Sequence, residues 1–272
     1  MAEGQCLPVM SISVLYGRLL RAGFLRYATY GQATLAGLAT NCVFGLLRTG
    51  VLLAVLAERG TVAGYDAAAA ATYVWLGQGL LTVVLLWGDT ELSRRIRSGD
   101  VVVDLGRPWD LQAALLAGDL GRAGFAVLTR LVPPAALGAL LFGFRWPEHL
   151  ATYGLFAVST LLAVGASFGI RFLLNASAFW LLDVRGVLAV WGVAAGVLSG
   201  LVLPLAWYPE WARTLLDWTP LPALFQTPID VFTERGDALG LLARQLGWAL
   251  ALVIAGRATL AAGARRLVVQ GG

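Results

Sequence analysis

Apolar residues gather in six long runs, at about residues 29–57, 67–88, 120–144, 151–174, 184–206 and 243–264, separated by short charged connections. A membrane helix needs about 20 mainly apolar residues to cross roughly 30 Å of hydrocarbon, so each run is long enough for one span. The pattern predicts an all-α polytopic membrane protein with six transmembrane helices. Ahead of them, residues 11–27 carry Arg18, Arg21 and Arg26 among Ile12, Leu15, Leu19 and Leu20. That spacing suits an amphipathic helix lying at the cytosolic interface, too charged and too short to be another span. The domain organisation expected is a cytosolic tail and amphipathic elbow over residues 1–28, then one transmembrane domain over 29–272.

Charge gives the orientation. The inner connections of this scheme hold Arg18, Arg21, Arg26, Arg94, Arg95, Arg97, Arg107, Arg122, Arg171, Arg185, Arg265 and Arg266, and the outer ones hold Arg59, Arg145, Arg213, Arg235 and Arg244. Twelve against five predicts both termini cytosolic in a multi-pass protein of the cell membrane. The first residues lack a basic region ahead of a hydrophobic core and lack a cleavage site, so no signal peptide is expected.

Composition agrees with a lipid environment. Apolar residues make up 58% and charged residues 13%, against about 25% charged in an average soluble domain. A soluble chain of this size has too little interior to hide so much apolar surface. All 20 basic residues are arginine and the net charge is +4, but no basic stripe interleaved with exposed aromatics appears, so nucleic acid is not an expected partner.

Catalytic chemistry is poorly represented. Cys6 and Cys42 do not make a disulfide framework, and the single His149 beside Glu148 does not make a zinc site. The GASFG stretch is not a GxSxG nucleophile elbow, and it sits in an apolar run. There is no GxxxxGK[ST] phosphate loop and no lysine to complete one. No catalytic, cofactor or metal residue is therefore assigned.

Within the spans, Asn41, Arg48, Gln78 and Arg130 are candidate intramembrane polar sites, since such groups need partners in lipid. Arg48 either snorkels to the outer boundary or faces a conduit. Asp119 and Arg122 stand one turn apart and can pair. Pro133 and Pro134 predict a kink in span three, and Gly192 with Gly196 forms a GxxxG pair that favours tight packing of span five. The last outer connection interleaves Trp207, Tyr208, Trp211, Trp218, Phe225 and Phe232 with Pro204, Pro209, Pro220, Pro222 and Pro228. Prolines interrupt helices and Trp and Tyr favour the headgroup boundary, so short interfacial or re-entrant helices are expected there.

The stretches DTELSRRIRSGDVVVDLGRPWDLQAALLAGDLGR and GVLSGLVLPLAWYPEWARTLLDWTPLPALFQTPIDVF together resemble the transmembrane permeases of the ABC-2 exporter superfamily, and more narrowly its six-span family of multidrug and natural-product exporters. The resemblance runs from the amphipathic helix to the terminal RRLVVQGG. It implies a permease subunit that is not itself an enzyme, paired with a second permease, identical or homologous, and with a separate cytosolic ABC ATPase dimer. ATP and Mg2+ would bind that partner, and no cofactor would bind this chain. The resemblance also implies that Ile96 to Leu111 faces the ATPase, with Arg97, Asp100, Asp104, Arg107 and Asp110 as coupling residues. Trp207, Tyr208, Trp211, Trp218 and Phe225 are the corresponding outer-gate candidates. An ion-coupled secondary transporter and a noncatalytic scaffold are the alternatives. A coupled carrier more often shows a midspan Asp or Glu, which the central parts of the six runs lack.

Overall fold

A computed structural model describes residues 12–181 and 183–266. Cys6, the first residues of the tail and the last residues of RRLVVQGG lie outside them. The described residues form helices throughout, with one isolated bridge between Val62 and Tyr65 in a turn.

The elements in chain order are α1 (Ile12–Ala28), α2 (Gly31–Arg59), α3 (Ala67–Val84), α4 (Glu91–Ser98), α5 (Val101–Leu105), α6 (Leu111–Ala126), a π-helical turn (Val127–Leu131), α7 (Val132–Phe142), α8 (Leu150–Ala176), α9 (Arg185–Leu198), α10 (Glu210–Asp217), α11 (Gln226–Phe232) and α12 (Ala238–Ala264). Five stretches are long and apolar enough to cross a membrane: Gly31–Arg59, Ala67–Val84, Leu111–Phe142, Leu150–Phe179 and Ala238–Ala264. The fifth predicted run behaves differently. Its helix α9 has 14 residues, about 21 Å at 1.5 Å per residue, and Ser199 to Pro204 continues without regular helix.

Aspartate starts three of the long helices. Asp66 accepts from the Ala69 N–H at 2.8 Å, Asp110 from Ala113 at 2.7 Å, and Asp237 from Leu239 and Gly240. Each carboxylate satisfies donors that the first helical turn leaves free. Span three begins at Leu111, earlier than the apolar run suggests, so Asp119 lies inside it. Pro133 and Pro134 do not end that helix. The wider π turn just before them takes up the carbonyl clash and the missing N–H, and the chain continues as α7.

The core is built around α3. Its residues Tyr73, Val74, Trp75, Leu80 and Val83 are fully buried, and Trp75 lies against Gly45 of α2 and Gly138 of α7. By contrast Leu47 and Val51 of α2, Val190 and Val193 of α9, and Ile254 of α12 are exposed, as lipid-facing positions are. The GxxxG pair does not bring a second helix onto α9 within the chain. Gly192 has open space beside it and Gly196 meets only Val202.

One end of the bundle, the base, gathers α1, α4, α5 and the C-terminal parts of α8 and α12. The other end, the cap, gathers the turn at 60–66, the connection at 143–149, α10 and α11. At the base α1 packs along α6, where Gly23 faces the Gly118 backbone and Gly121 faces the Leu20 carbonyl and the Phe24 amide. Only the absence of a Cβ permits that approach. Gly121→Val is expected to detach α1 from the base, so trypsin applied to membranes should cleave after Arg18, Arg21 or Arg26 several-fold faster than in the parent chain; equal cleavage rates would refute this packing.

Candidate functional site

The base contains the densest polar chemistry in the molecule. Span two ends at Val84, and Leu85 adopts φ 53°, outside the helical region and uncommon for a bulky residue. The carbonyls freed by this unwinding are met by side chains from three other helices. Arg122 of α6 donates to the Thr82 and Val83 carbonyls, Ser167 of α8 to Leu85 at 2.8 Å, and Trp191 of α9 to Leu86 at 2.7 Å. Asn175 of α8 donates to the Asp89 carbonyl at 2.9 Å and accepts from the Ser93 amide at 3.1 Å.

Charge neutralisation holds this arrangement. Asp119 accepts from Arg122 Nε and from Arg171, both at 2.6 Å, and Arg171 reaches Asp89 at 2.9 Å. The Arg122, Asp119 and Arg171 side chains are each less than a tenth exposed. Sequence reasoning found the Asp119–Arg122 pair but counted Arg171 only as a topological charge. The signal for Arg171 was an arginine inside an apolar stretch, where a partner is required.

The coupling candidates separate into two kinds. Asp104 is buried and bonded to Arg95 at 2.7 Å, with Arg107 at 3.8 Å, so it fastens α5 to α4 and does not face outward. Asp110 is committed to the N-terminus of α6 and to Arg257 of α12 at 3.2 Å. Arg97 and Asp100 lie at the surface, Arg97 near Asp183 at 3.8 Å and Asp100 accepting from Ser98. Arg107 lies over the Trp109 ring. Beside them α5 exposes Val102, Val103 and Leu105, a small apolar tip flanked by charges. The Asp183 carboxyl is pulled down to about 2, first by the hydrogen bond from the Arg185 side chain.

A cavity of about 570 Å³ opens at the same end. Trp87, Leu115 and Phe168 form its apolar wall, and Arg26, Glu91 and Arg94 its charged rim.

The intramembrane candidates also find partners. Asn41 donates to the Gln78 carbonyl at 3.2 Å, joining spans one and two through the backbone of Gln78. Arg48 donates to the Leu201 and Val202 carbonyls just beyond α9, and Arg130 to the Ala33 carbonyl at 3.2 Å, beside Gly37. Each arginine therefore serves backbone on another segment.

The five outer-gate candidates do not form one surface. Phe225 is fully buried in the core, Trp207 packs edge-on to Tyr65, and the Tyr208 hydroxyl donates to the Val197 carbonyl at 2.8 Å. Trp211 and Trp218 are 72% and 80% exposed. Glu234 closes the cap onto α8. Its carboxylate accepts from the Thr152 hydroxyl at 2.6 Å and from the Glu148 and His149 amides, at the positive end of that helix. Among the described residues no three His, Cys, Asp or Glu side chains gather as a metal site.

With the geometry in place, the comparison with protein families is decisive. The family model described as ABC-2 family transporter protein matches residues 46–271. This chain belongs to the ABC-2 transporter family. The match spans the base connection, the cap helices and all but the first half of span one, and leaves out α1. The comparison with curated proteins gives no match. The ABC-2 chain is thus a membrane transport component.

Two measurements check these assignments. Arg171→Ala leaves the Asp119 and Asp89 carboxylates short of a partner, one of them buried, and is expected to cost about 3–5 kcal/mol; an unchanged thermal unfolding midpoint of the purified protein would refute that. For Glu234 the Thr152 hydrogen bond, then those from the backbone, hold the carboxyl down at about 2 against an ordinary 4.5. Its contribution is therefore fully present above about pH 4.5 and lost as pH falls toward 2. In Glu234→Gln that loss between pH 5 and 3 should be smaller, read as unfolding midpoint against pH.

Proposed function

We propose that this ABC-2 protein is the permease subunit of an ATP-driven exporter, moving a hydrophobic or amphipathic substrate by alternating access. Two copies, or this chain and a homologous permease, form the pathway, and a separate cytosolic ABC ATPase dimer binds ATP and Mg2+ and supplies the driving free energy. The base lies in the cytosol with both termini, in the cell membrane, and the cap lies outside. The arginine asymmetry supports that orientation.

The observation that carries the reading is the surface of α4 and α5. Its exposed Val102, Val103 and Leu105 are ringed by Arg97, Asp100 and Arg107, an apolar centre with a charged rim suited to a protein partner. Behind this surface, Asp104–Arg95 makes the two short helices one unit, and Asn175, Arg171 and Asp89 tie that unit to spans three and four. Force applied at α5 reaches the bundle through these bonds. The roles follow: Arg97, Asp100 and Arg107 meet the ATPase, while Asp104 and Asp110 position the helices that do so. At the cap, the Trp207 and Phe225 region shapes the outer end of the pathway, and exposed Trp211 and Trp218 anchor α10 at the headgroups.

Asp119 does not favour a proton-coupled carrier. It lies inside span three, but two arginines already hold it.

The chain purified alone is expected to show no ATP hydrolysis, and hydrolysis is expected only in complex with its ATPase, identified by native mass spectrometry of the membrane complex. Arg97→Glu and Asp100→Arg should each lower substrate-stimulated hydrolysis by roughly fivefold while leaving membrane insertion intact. Cysteines along residues 96–111 should cross-link to the ATPase. Absence of all such cross-links in correctly inserted protein would reject the coupling surface, and nucleotide-independent, ion-coupled transport by this chain alone would reject the exporter.

A further inference from the structure

The cap holds a second cavity, of about 330 Å³, that the proposed transport cycle does not use. Three guanidinium groups line it: Arg213 of α10, Arg235 just after α11, and Arg244 of α12. The Arg213 side chain has no hydrogen bond or ion pair among the described residues. Arg244 reaches Asp217 only at 3.4 Å. Arg235 lies over the Tyr65 ring and donates to the Gly64 carbonyl, while its buried Nε has no acceptor.

Asp230 also lines the cavity, and within the molecule it forms no ion pair with any of these arginines. Its Oδ1 accepts from Gln226 Nε2 at 2.8 Å, and Gln226 is itself fixed by the Leu205 amide at 2.9 Å. Three cations and two carboxylates around one space leave a net charge of +1, rising to +2 when Asp230 is protonated. Leu205, Ala206, Pro222 and Leu241 supply an apolar wall. Next to it α10 exposes Trp211 and Leu215, and Trp218 follows just after the helix, side chains suited to the headgroup boundary.

The geometry points to a binding site for a phosphodiester anion, the headgroup of an anionic lipid or the same group on a soluble molecule, held by Arg213, Arg235 and Arg244. Guanidinium forks match the paired oxygens of a phosphodiester, and the unbonded Arg213 side chain supplies donors without breaking existing contacts. An apolar wall beside the charges accommodates the first atoms of an acyl chain.

Asp230 makes the site sensitive to pH. Burial raises its carboxyl to about 7, against the hydrogen bond from Gln226 and the attraction of Arg235 and Arg244. The other groups facing it are Tyr65, whose hydroxyl burial pushes up to about 12, and Tyr73 of α3, with Arg213 and Asp217 across the cavity. Glu234 is engaged by Thr152 and His149. Below about pH 7 Asp230 is uncharged and its own repulsion of the anion disappears; above it the carboxylate opposes binding.

The test uses the full chain in nanodiscs of phosphatidylcholine, without nucleotide or ATPase, so its outcome is independent of the exporter reading; only the outer location of the site rests on that reading. Isothermal titration calorimetry with dihexanoylphosphatidylglycerol, which carries one negative charge throughout, should give binding about tenfold tighter at pH 6 than at pH 8.5. Arg213→Gln, at a side chain without bonds in the fold, and Arg244→Gln should each weaken binding at pH 6 by about tenfold. Asp230→Asn should bind equally at both pH values. Dimethyl phosphate separates the sources: weaker binding than the lipid assigns the site to a headgroup, and equal binding assigns it to a soluble phosphodiester. Equal binding by zwitterionic dihexanoylphosphatidylcholine, or unchanged affinity in both arginine variants, would overturn the proposal, as would an unaltered pH dependence in Asp230→Asn.

Discussion

A backbone that stops being helical inside a membrane must find donors for its carbonyls in other parts of the protein. In this ABC-2 protein that requirement arises where span two unwinds after Val84, and its solution organises the base. Arg122, Ser167, Trp191 and Asn175 come from three different helices to the same short segment. Bringing two arginines into a buried place is tolerable only because Asp119 accepts from both and Asp89 closes the chain of charges. The positions of α4 and α5 depend on this arrangement, since the segment that carries them leaves the bundle at Asp89.

The cap obeys the same constraint with different means. Arg48 serves the carbonyls after α9, Glu234 serves the amides that open α8, and Gln226 bridges a backbone amide and a carboxylate. Two polar clusters, one at each end, thus bracket an apolar middle centred on α3. The exposed faces of α2, α9 and α12 need no such partners, because lipid satisfies Val190 or Ile254 as well as protein does.

Much of the fold was legible because lipid imposes a coarse rule. Five apolar runs became membrane-length helices, while the aspartates that cap α3, α6 and α12 were a start signal that hydropathy alone does not register. The elbow helix and the short proline-broken helices of the cap were also visible. The fifth run was less faithful, because mean hydropathy does not register that Ser199 to Pro204 abandons helical hydrogen bonding. Nor can periodicity within one short helix tell which of two charges faces outward. Asp104 and Asp100 look equivalent in RSGDVVVDLGR, yet one is buried against Arg95 and the other is at the surface. The aromatics of the last connection were equally ambiguous: Phe225 entered the core while Trp218 stayed outside. Partnerships over long sequence separation, such as Arg171 with Asp89, become visible only in three dimensions.

Arg48 has a consequence for the length of α9. The Leu201 and Val202 carbonyls that it occupies are the acceptors that a helix continued past Pro204 would offer to the amides of Leu205 and Ala206. Guanidinium and helix extension therefore compete for one pair of oxygens, and the side chain acts as a stop placed from a neighbouring span. One guanidinium nitrogen, Nη2, reaches the two successive carbonyls together. In a chain without lysine, the boundary of one helix is written in the sequence of another.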